Sequence, residues 1–359
     1  MRLYKTISVI FLLLLFAVSW ISDSSQQNKT HPVPFVVPKG WLQPVYDFKN
    51  NPVTAEGFEL GRKLFYDGRL SKDGNFPCAS CHQQFAAFAT YDHSLSHGYN
   101  NSFSKRNAPP LFNLAWQKEF MLDGGINHLD LQPLAPITDT NEMAETIDNV
   151  LKKLNADTAY KRMFKAAFGD ANITTQKMTK ALSQFLVMMV SSNSKYDRVM
   201  RGEDSFNLPQ SLGYDIFKKK CASCHTEPMF TDYSYRNVGM PVDSFLNDYG
   251  RMKITRDNRD SLKFKVPSLR NAQLTFPYGH DGRFFSLLDV MNFYRKNIVQ
   301  SATTDSLFKH GMPLSNYEIG QLTAFIYTLT DSVFISDPRF TAPGFESRQP
   351  PATHQHTMQ

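Results

Sequence analysis

Cys78-Ala79-Ser80-Cys81-His82 and Cys221-Ala222-Ser223-Cys224-His225 are the same five residues, and together they use all four cysteines of the 359-residue chain. Cys-x-x-Cys-His is the attachment signature of c-type haem. Three residues make about one helical turn, so both thiols face one side and can form thioethers with the two vinyl groups on one porphyrin edge. The tether then puts the next residue, His82 or His225, beneath the iron as its proximal ligand. Zinc, a thioredoxin-like centre and disulfides are the rival uses of such pairs. A four-cysteine zinc site leaves both histidines idle, neither pair lies in a βαβ pattern, and a disulfide inside each pair staples nothing. Two covalent haems are the expectation.

The repeat is larger than the pentapeptide. Gly61-Arg62-Lys63-Leu64-Phe65 precedes the first motif and Gly213-Tyr214-Asp215-Ile216-Phe217 the second, both reading Gly-x-x-aliphatic-Phe. The glycines are 152 positions apart and the first cysteines 143, so the first copy carries nine extra residues between Tyr66 and Pro77. A duplicated cytochrome unit follows.

Around these copies the pattern is helical. The segment from Ala55 to Phe65 follows Thr54. Asn141 can cap a helix through Met143, Ile147, Val150, Leu151 and Leu154, with Glu142 in its first turn. Thr174 or Thr175 opens another up to Ser191, whose methionines read as core filler. Ser286 can start a helix carrying Met291 and Tyr294, and Ser315 precedes one from Tyr317 to Leu329. Residues 28–52 form a Pro-rich lead-in, 231–259 read as loop, and Gly202 to Pro209 reads as a boundary. The expected class is mainly α, with two cytochrome c-like haem domains in tandem (40–204 and 205–335) and a disordered tail at 341–359.

Arg2 and Lys5, an apolar run from Ile7 to Ile21 and a polar exit form a secretory signal (1–21), with Ala17-Val18-Ser19 as a small-x-small cleavage site. An uncleaved anchor is the alternative. Covalent haem attachment takes place outside the bacterial cytoplasm, which agrees with export to the periplasm. The net charge of +6 is scattered and no nucleic-acid module is visible, so nucleic acid is not an expected partner.

With these motifs stand Arg106-Asn107-Ala108-Pro109, Asn141-Glu142-Met143, Asp248-Tyr249-Gly250-Arg251, Phe264 to Asn271 and Pro277-Tyr278-Gly279-His280-Asp281-Gly282. In order and spacing they resemble the bacterial dihaem cytochrome c peroxidase and MauG family, from about Pro44 to Asp331. The resemblance implies that the haem on His82 meets hydrogen peroxide, while the haem on His225 stores or relays electrons from a small donor such as a c-type cytochrome. It places Glu142 and Gln132 as distal catalysts, where residue pattern alone makes Glu142 a helix-capping residue. His97, with His93 as competitor, resembles a displaceable ligand of the first iron. Tyr294, with Met291 as alternative, falls where the family places the second iron's distal ligand; MauG-type members carry tyrosine there.

Asn107, Thr275 and Pro277 match positions that supply oxygen ligands to a Ca2+ ion. The chain departs from the family at Leu122, where tryptophan commonly stands between the haems, and Trp116 is the nearest substitute. Members are often homodimers. The implied activity is reduction of peroxide to water. The alternatives are MauG-like oxidation of a partner protein and a dihaem electron carrier without catalysis.

Overall fold

The structure is a computed structural model, and it describes residues 30–344. The expected signal peptide and residues 345–359 of the expected tail lie outside that range. The described chain is mainly helical: α1 Ala55–Phe65, α2 Cys78–Cys81, α3 Leu134–Thr138, α4 Ile147–Ala156, α5 Thr158–Phe168, α6 Thr175–Val187, α7 Lys195–Met200, α8 Leu208–Lys220, α9 Met252–Thr255, α10 Leu287–Lys296, α11 Asn316–Tyr327 and α12 Ser332–Ile335. Its named strands, β1 (Tyr235–Arg236) and β2 (Phe264–Lys265), pair antiparallel with Tyr235 opposite Lys265.

The shared Gly-x-x-aliphatic-Phe phrase has a structural counterpart in each copy. In α1 a Cβ on Gly61 would stand 2.0 Å from Ala181 O and 2.9 Å from Phe185 Cβ, so glycine lets α1 cross α6 at backbone contact. In α8 a Cβ on Gly213 would stand 2.0 Å from Gln321 O and 2.8 Å from Phe325 Cβ, and α8 crosses α11 in the same way. Each crossing is sealed by the motif phenylalanine: Phe65 and Phe217 are both fully buried, against Phe185 and Phe325. The duplication read in the sequence is thus a repeated helix-on-helix crossing beside each Cys-x-x-Cys-His.

The helix starts follow side-chain caps. Thr54 accepts from Gly57 N, Thr174 from Lys177 N, and Ser286 and Ser315 close reciprocal boxes with Asp289 and Glu318. Pro209 is tolerated in the first turn of α8 because the N–H it lacks has no helical partner there, and the Asn207/Gln210 box closes that end.

Two expectations need correction. The helix expected from Asn141 begins at Ile147, where Thr146 caps it by accepting from Asn149 N. Residues 141–144 form a turn with Ala144 at φ 53°, so Glu142 is not in a helix and caps none. The helix expected to reach Ser191 ends at Val187, because Asn113 draws out the backbone beyond it, donating N–H to Met189 O and accepting from Ser191 N.

One apolar cluster gathers α1, α4, α5 and α6 and ends at Met189, while Tyr196 on α7 already packs in the other with Phe217, Phe230, Leu322 and Phe325. Phe334 and Phe340 return to the first cluster, packing on Phe88.

Candidate active site

Each pentapeptide is held by one short device. His82 follows α2, with its N–H on Cys78 O at 3.0 Å, and its ring Nδ1 lies 2.9 Å from Phe88 O. A left-handed turn at Ala87 (φ 52°) and Phe88 (φ 60°) aims that carbonyl back at the ring, while the Phe88 side chain anchors the turn against Phe65, Phe334 and Phe340. His225 repeats the arrangement: its Nδ1 is 3.1 Å from both Phe230 O and Pro267 O, and Phe230 has φ 55°. A ring that donates Nδ1–H to a carbonyl keeps its Nε2 lone pair for a metal. Burial pulls the His82 pKa down to about 4 and that of His225 in the same direction, so both rings are neutral at pH 7, as iron ligation requires.

All four cysteines are free, and burial pushes the Cys78 and Cys221 thiols up to about 12. Among the described residues no group of three or more His, Cys, Asp and Glu side chains converges as a metal site, so the two pairs do not meet as a zinc centre. Beside the first pair the fold leaves a cavity of about 610 Å³ bounded by Cys78, Cys81, His82, Phe65, Leu182 and Leu186, continuous in its lining with one of about 1320 Å³. An apolar crevice with two thiols and a neutral imidazole at its wall fits a covalently held porphyrin.

Glu142, Gln132 and His97 line both cavities together with His82. Glu142 is carried on the 139–144 turn. The Ser96–Tyr99 segment lies against that turn because Gly98 has no side chain: a Cβ there would stand 2.0 Å from Asn141 O, and Tyr99 N–H bonds Glu142 O at 2.8 Å. Burial and then the nearby Asp139 charge raise the Glu142 carboxyl to about 7, against a smaller opposite pull from Lys105. Gln132 has only a long contact, Nε2 to Met121 Sδ at 3.9 Å, leaving its amide available to the cavity. His97 is exposed at the rim, its ring tilted against Phe103 at 4.7 Å and edge-on to His93 at 5.1 Å. His93 is absent from both linings, so of the two histidines the fold brings His97 to the crevice.

At the second centre Tyr294 lies on α10 with its ring stacked on Phe308 at 5.3 Å. Burial, then Cys221 and Cys224, raises its phenol above the ordinary value, which places Tyr294 beside the second cysteine pair. Met291, one turn earlier, is packed into the core with Leu287 and Leu322. Asn107 sits against the loop that carries Thr275 and Pro277, through its N–H to His280 O at 2.9 Å, and its amide donates to Ser94 O at 3.1 Å.

Between the centres, Leu122 lines the larger cavity and Trp116 does not; Trp116 is buried against Trp41 and Phe35, with Nε1 donating to Leu42 O. Sequence reasoning missed the groups that hold this region together. Arg106 bridges Asp123 and Asp248, and Lys265 donates to Glu119 O, its amine lowered to about 8 by burial. Arg270 is wholly buried, paired with Asp197 through two bonds and lying over Trp41 at 4.7 Å. The signal for the clasps was present: a phenylalanine stands five or six residues after each histidine.

A mainly helical chain with two such clasps is a c-type cytochrome of the two-haem kind. The profile of the family described as di-haem cytochrome c peroxidase matches residues 55–205. The methylamine utilization protein MauG of Methylorubrum extorquens is 34% identical over 287 residues, covering 78% of this chain and 80% of its own. Cytochrome c551 peroxidase of Nitrosomonas europaea is 32% identical, covering 78% and 81%. The crystal structure of a MauG-like protein associated with microbial copper homeostasis superposes with a TM-score of 0.79 at 30% identity, over 87% of this chain and 99% of that one. The chain belongs to the di-haem cytochrome c peroxidase/MauG family and carries two covalently bound haems.

Proposed function

We propose that the protein reduces hydrogen peroxide to water, H2O2 + 2 e− + 2 H+ giving 2 H2O, with electrons from a small soluble donor such as a c-type cytochrome. The observation that carries this reading is Glu142: a carboxyl raised to about 7 in the same crevice as His82. Near neutral pH such a group both accepts and returns a proton. It takes the proton from one peroxide oxygen and delivers it to the other, so that the departing oxygen leaves as water. Gln132 holds the second oxygen by a hydrogen bond. His82 and Cys78/Cys81 hold the first haem, which supplies the electrons to the O–O bond when bound. His225, Cys221/Cys224 and Tyr294 hold the second, which makes each half a haem unit of its own. His97 at the rim is the displaceable group of the first centre, and Asn107, Thr275 and Pro277 are the candidate Ca2+ ligands.

Tyr294 favours a second reading. A phenolate oxygen stabilises ferric iron and lowers the potential, which suits stored oxidising equivalents and a MauG-like oxidation of a partner protein. Export to the periplasm by residues 1–21 belongs to the same proposal; among the described residues no helix is long and apolar enough to cross a membrane. The test is to mix purified holoprotein with peroxide and reduced cytochrome c, before and after one-electron reduction. Cytochrome oxidation at two per peroxide is expected. No turnover in either state, with a persistent oxidised spectrum after peroxide, would replace the peroxidase reading with the MauG-like one.

A further inference from the structure

Gln132 lines the crevice with His82 and Glu142, yet among the described residues its amide makes only the long contact to Met121 Sδ. Its placement must therefore come from the backbone that carries it. That backbone is a single tight turn, Leu129–Leu131, followed by Gln132, whose N–H closes on Leu129 O at 3.1 Å. A turn this short holds few bonds of its own, so its place depends on anchors outside it.

The anchor is Asp130, in the middle of that turn. Its buried carboxylate lines neither cavity and accepts from the Tyr46 hydroxyl at 2.7 Å. Burial, then Asp130, raises the Tyr46 phenol above its ordinary value, so it stays a donor at neutral pH. Tyr46 belongs to the Pro-rich lead-in, and its N–H hooks that segment to Ala115 O at 3.0 Å. From Tyr46 the bonds run one way: Asn51 Nδ2 donates to Tyr46 Oη at 2.7 Å, Gln184 Nε2 to Asn51 Oδ1 at 2.9 Å, and Thr54 N–H to Gln184 Oε1 at 3.0 Å. Asn51, Gln184 and Thr54 are all buried. Gln184 lies on α6 between Leu182 and Leu186, which line the same crevice as Gln132. Gly57 on α1 makes room for it, since a Cβ there would stand 2.0 Å from Gln184 Oε1. One buried chain of bonds thus ties the turn that carries Gln132 to the α6 wall of the crevice.

We propose that Asp130 and Tyr46 are positioning residues of the peroxide site: the bond between them fixes the Gln132 amide in the crevice, a role that rests on the peroxide reading of Gln132. Neither side chain touches the reacting atoms. A misplacement of about 1 Å in a group that must meet one oxygen can cost about a hundredfold in rate, so the loss of this one bond is felt at the chemistry. The lead-in before α1 is then a support of the site as well as the entry to the fold.

The test is a double-mutant cycle on holoprotein whose intact mass shows both haems, read by kcat/KM for peroxide and by azide affinity from haem absorbance. Tyr46→Phe keeps the ring and removes the hydroxyl; it is expected to lower kcat/KM by about tenfold or more and to weaken azide in step with Gln132→Ala. Asp130→Ala should match it, while Asp130→Asn, which keeps an oxygen for the Tyr46 hydroxyl, should stay within about threefold of the parent. Adding Tyr46→Phe to Gln132→Ala should cost nothing further, which a general loss of packing would not reproduce. Gln132→Ala at parental values would end the reading of Gln132 and this role with it. Gln132→Ala impaired beside a parental Tyr46→Phe would overturn the positioning role alone. So would losses that multiply in the double variant, or Asp130→Asn as slow as Asp130→Ala.

Discussion

Replacing Glu142 by Gln preserves the shape and polarity of the head group and removes its proton transfer. The carboxyl lies at about 7 instead of 4.5, so it is half ionised near neutral pH and about one-tenth ionised one pH unit lower. If the ionised form takes the first peroxide proton, kcat/KM for peroxide rises with pH through about 7 and then levels. General acid–base catalysis contributes about 10²- to 10⁴-fold, so Glu142→Gln is expected to lower kcat/KM by that factor and abolish the inflection. Stability moves oppositely. The folded pKa is raised, so the folded state binds more protons than the unfolded between these two values, and stability falls as pH rises through that window. An ionised Glu142 costs on the order of 3 kcal/mol, a cost Gln does not carry. The variant should therefore match the parent's Tm near pH 4 and exceed it at pH 8. Peroxide-dependent oxidation of cytochrome c and thermal unfolding across pH measure both, with haem absorbance confirming an intact site. A variant that keeps most of the parent activity and its pH inflection would refute the proton-carrier role.

Gly61→Ala and Gly213→Ala each press a methyl into a facing carbonyl at 2.0 Å, and about 1–3 kcal/mol of destabilisation is expected in denaturant titrations of either variant. Arg270→Ala leaves the Asp197 carboxylate buried without its partner, expected to cost about 3–5 kcal/mol in the same assay. Tyr294→Phe is expected to change the spin state or midpoint potential of the second haem, while Met291→Leu leaves both unaltered; potentiometry and EPR of the two variants check this.

The Cys-x-x-Cys-His duplication, the glycine phrase before each copy and the Ser/Thr caps were legible because each is a local signal with one dominant physical use. The partners of those glycines were not. Nothing in the sequence around Ala181 or Gln321 announces a backbone carbonyl that a crossing helix will meet. Asn141 and Thr146 are both competent caps five residues apart, and the left-handed Ala144 between them decided for Thr146. Glu142 consequently reads as a cap in sequence and as a cavity carboxyl in the fold. Lys265 stands inside the Phe264 to Asn271 phrase, yet its role was not legible there, because it depends on the distant Glu119 carbonyl that its amine meets only in the fold.

The most direct measurement is EPR of the fully oxidised holoprotein, repeated after one-electron reduction and in each state with and without azide as a small iron ligand. One iron that binds azide in at least one of these states, beside a second that ignores it and loses its signature in Tyr294→Phe, is the predicted result. Two irons that remain six-coordinate and indifferent to azide in both states would contradict peroxide chemistry at His82 and leave an electron carrier in its place.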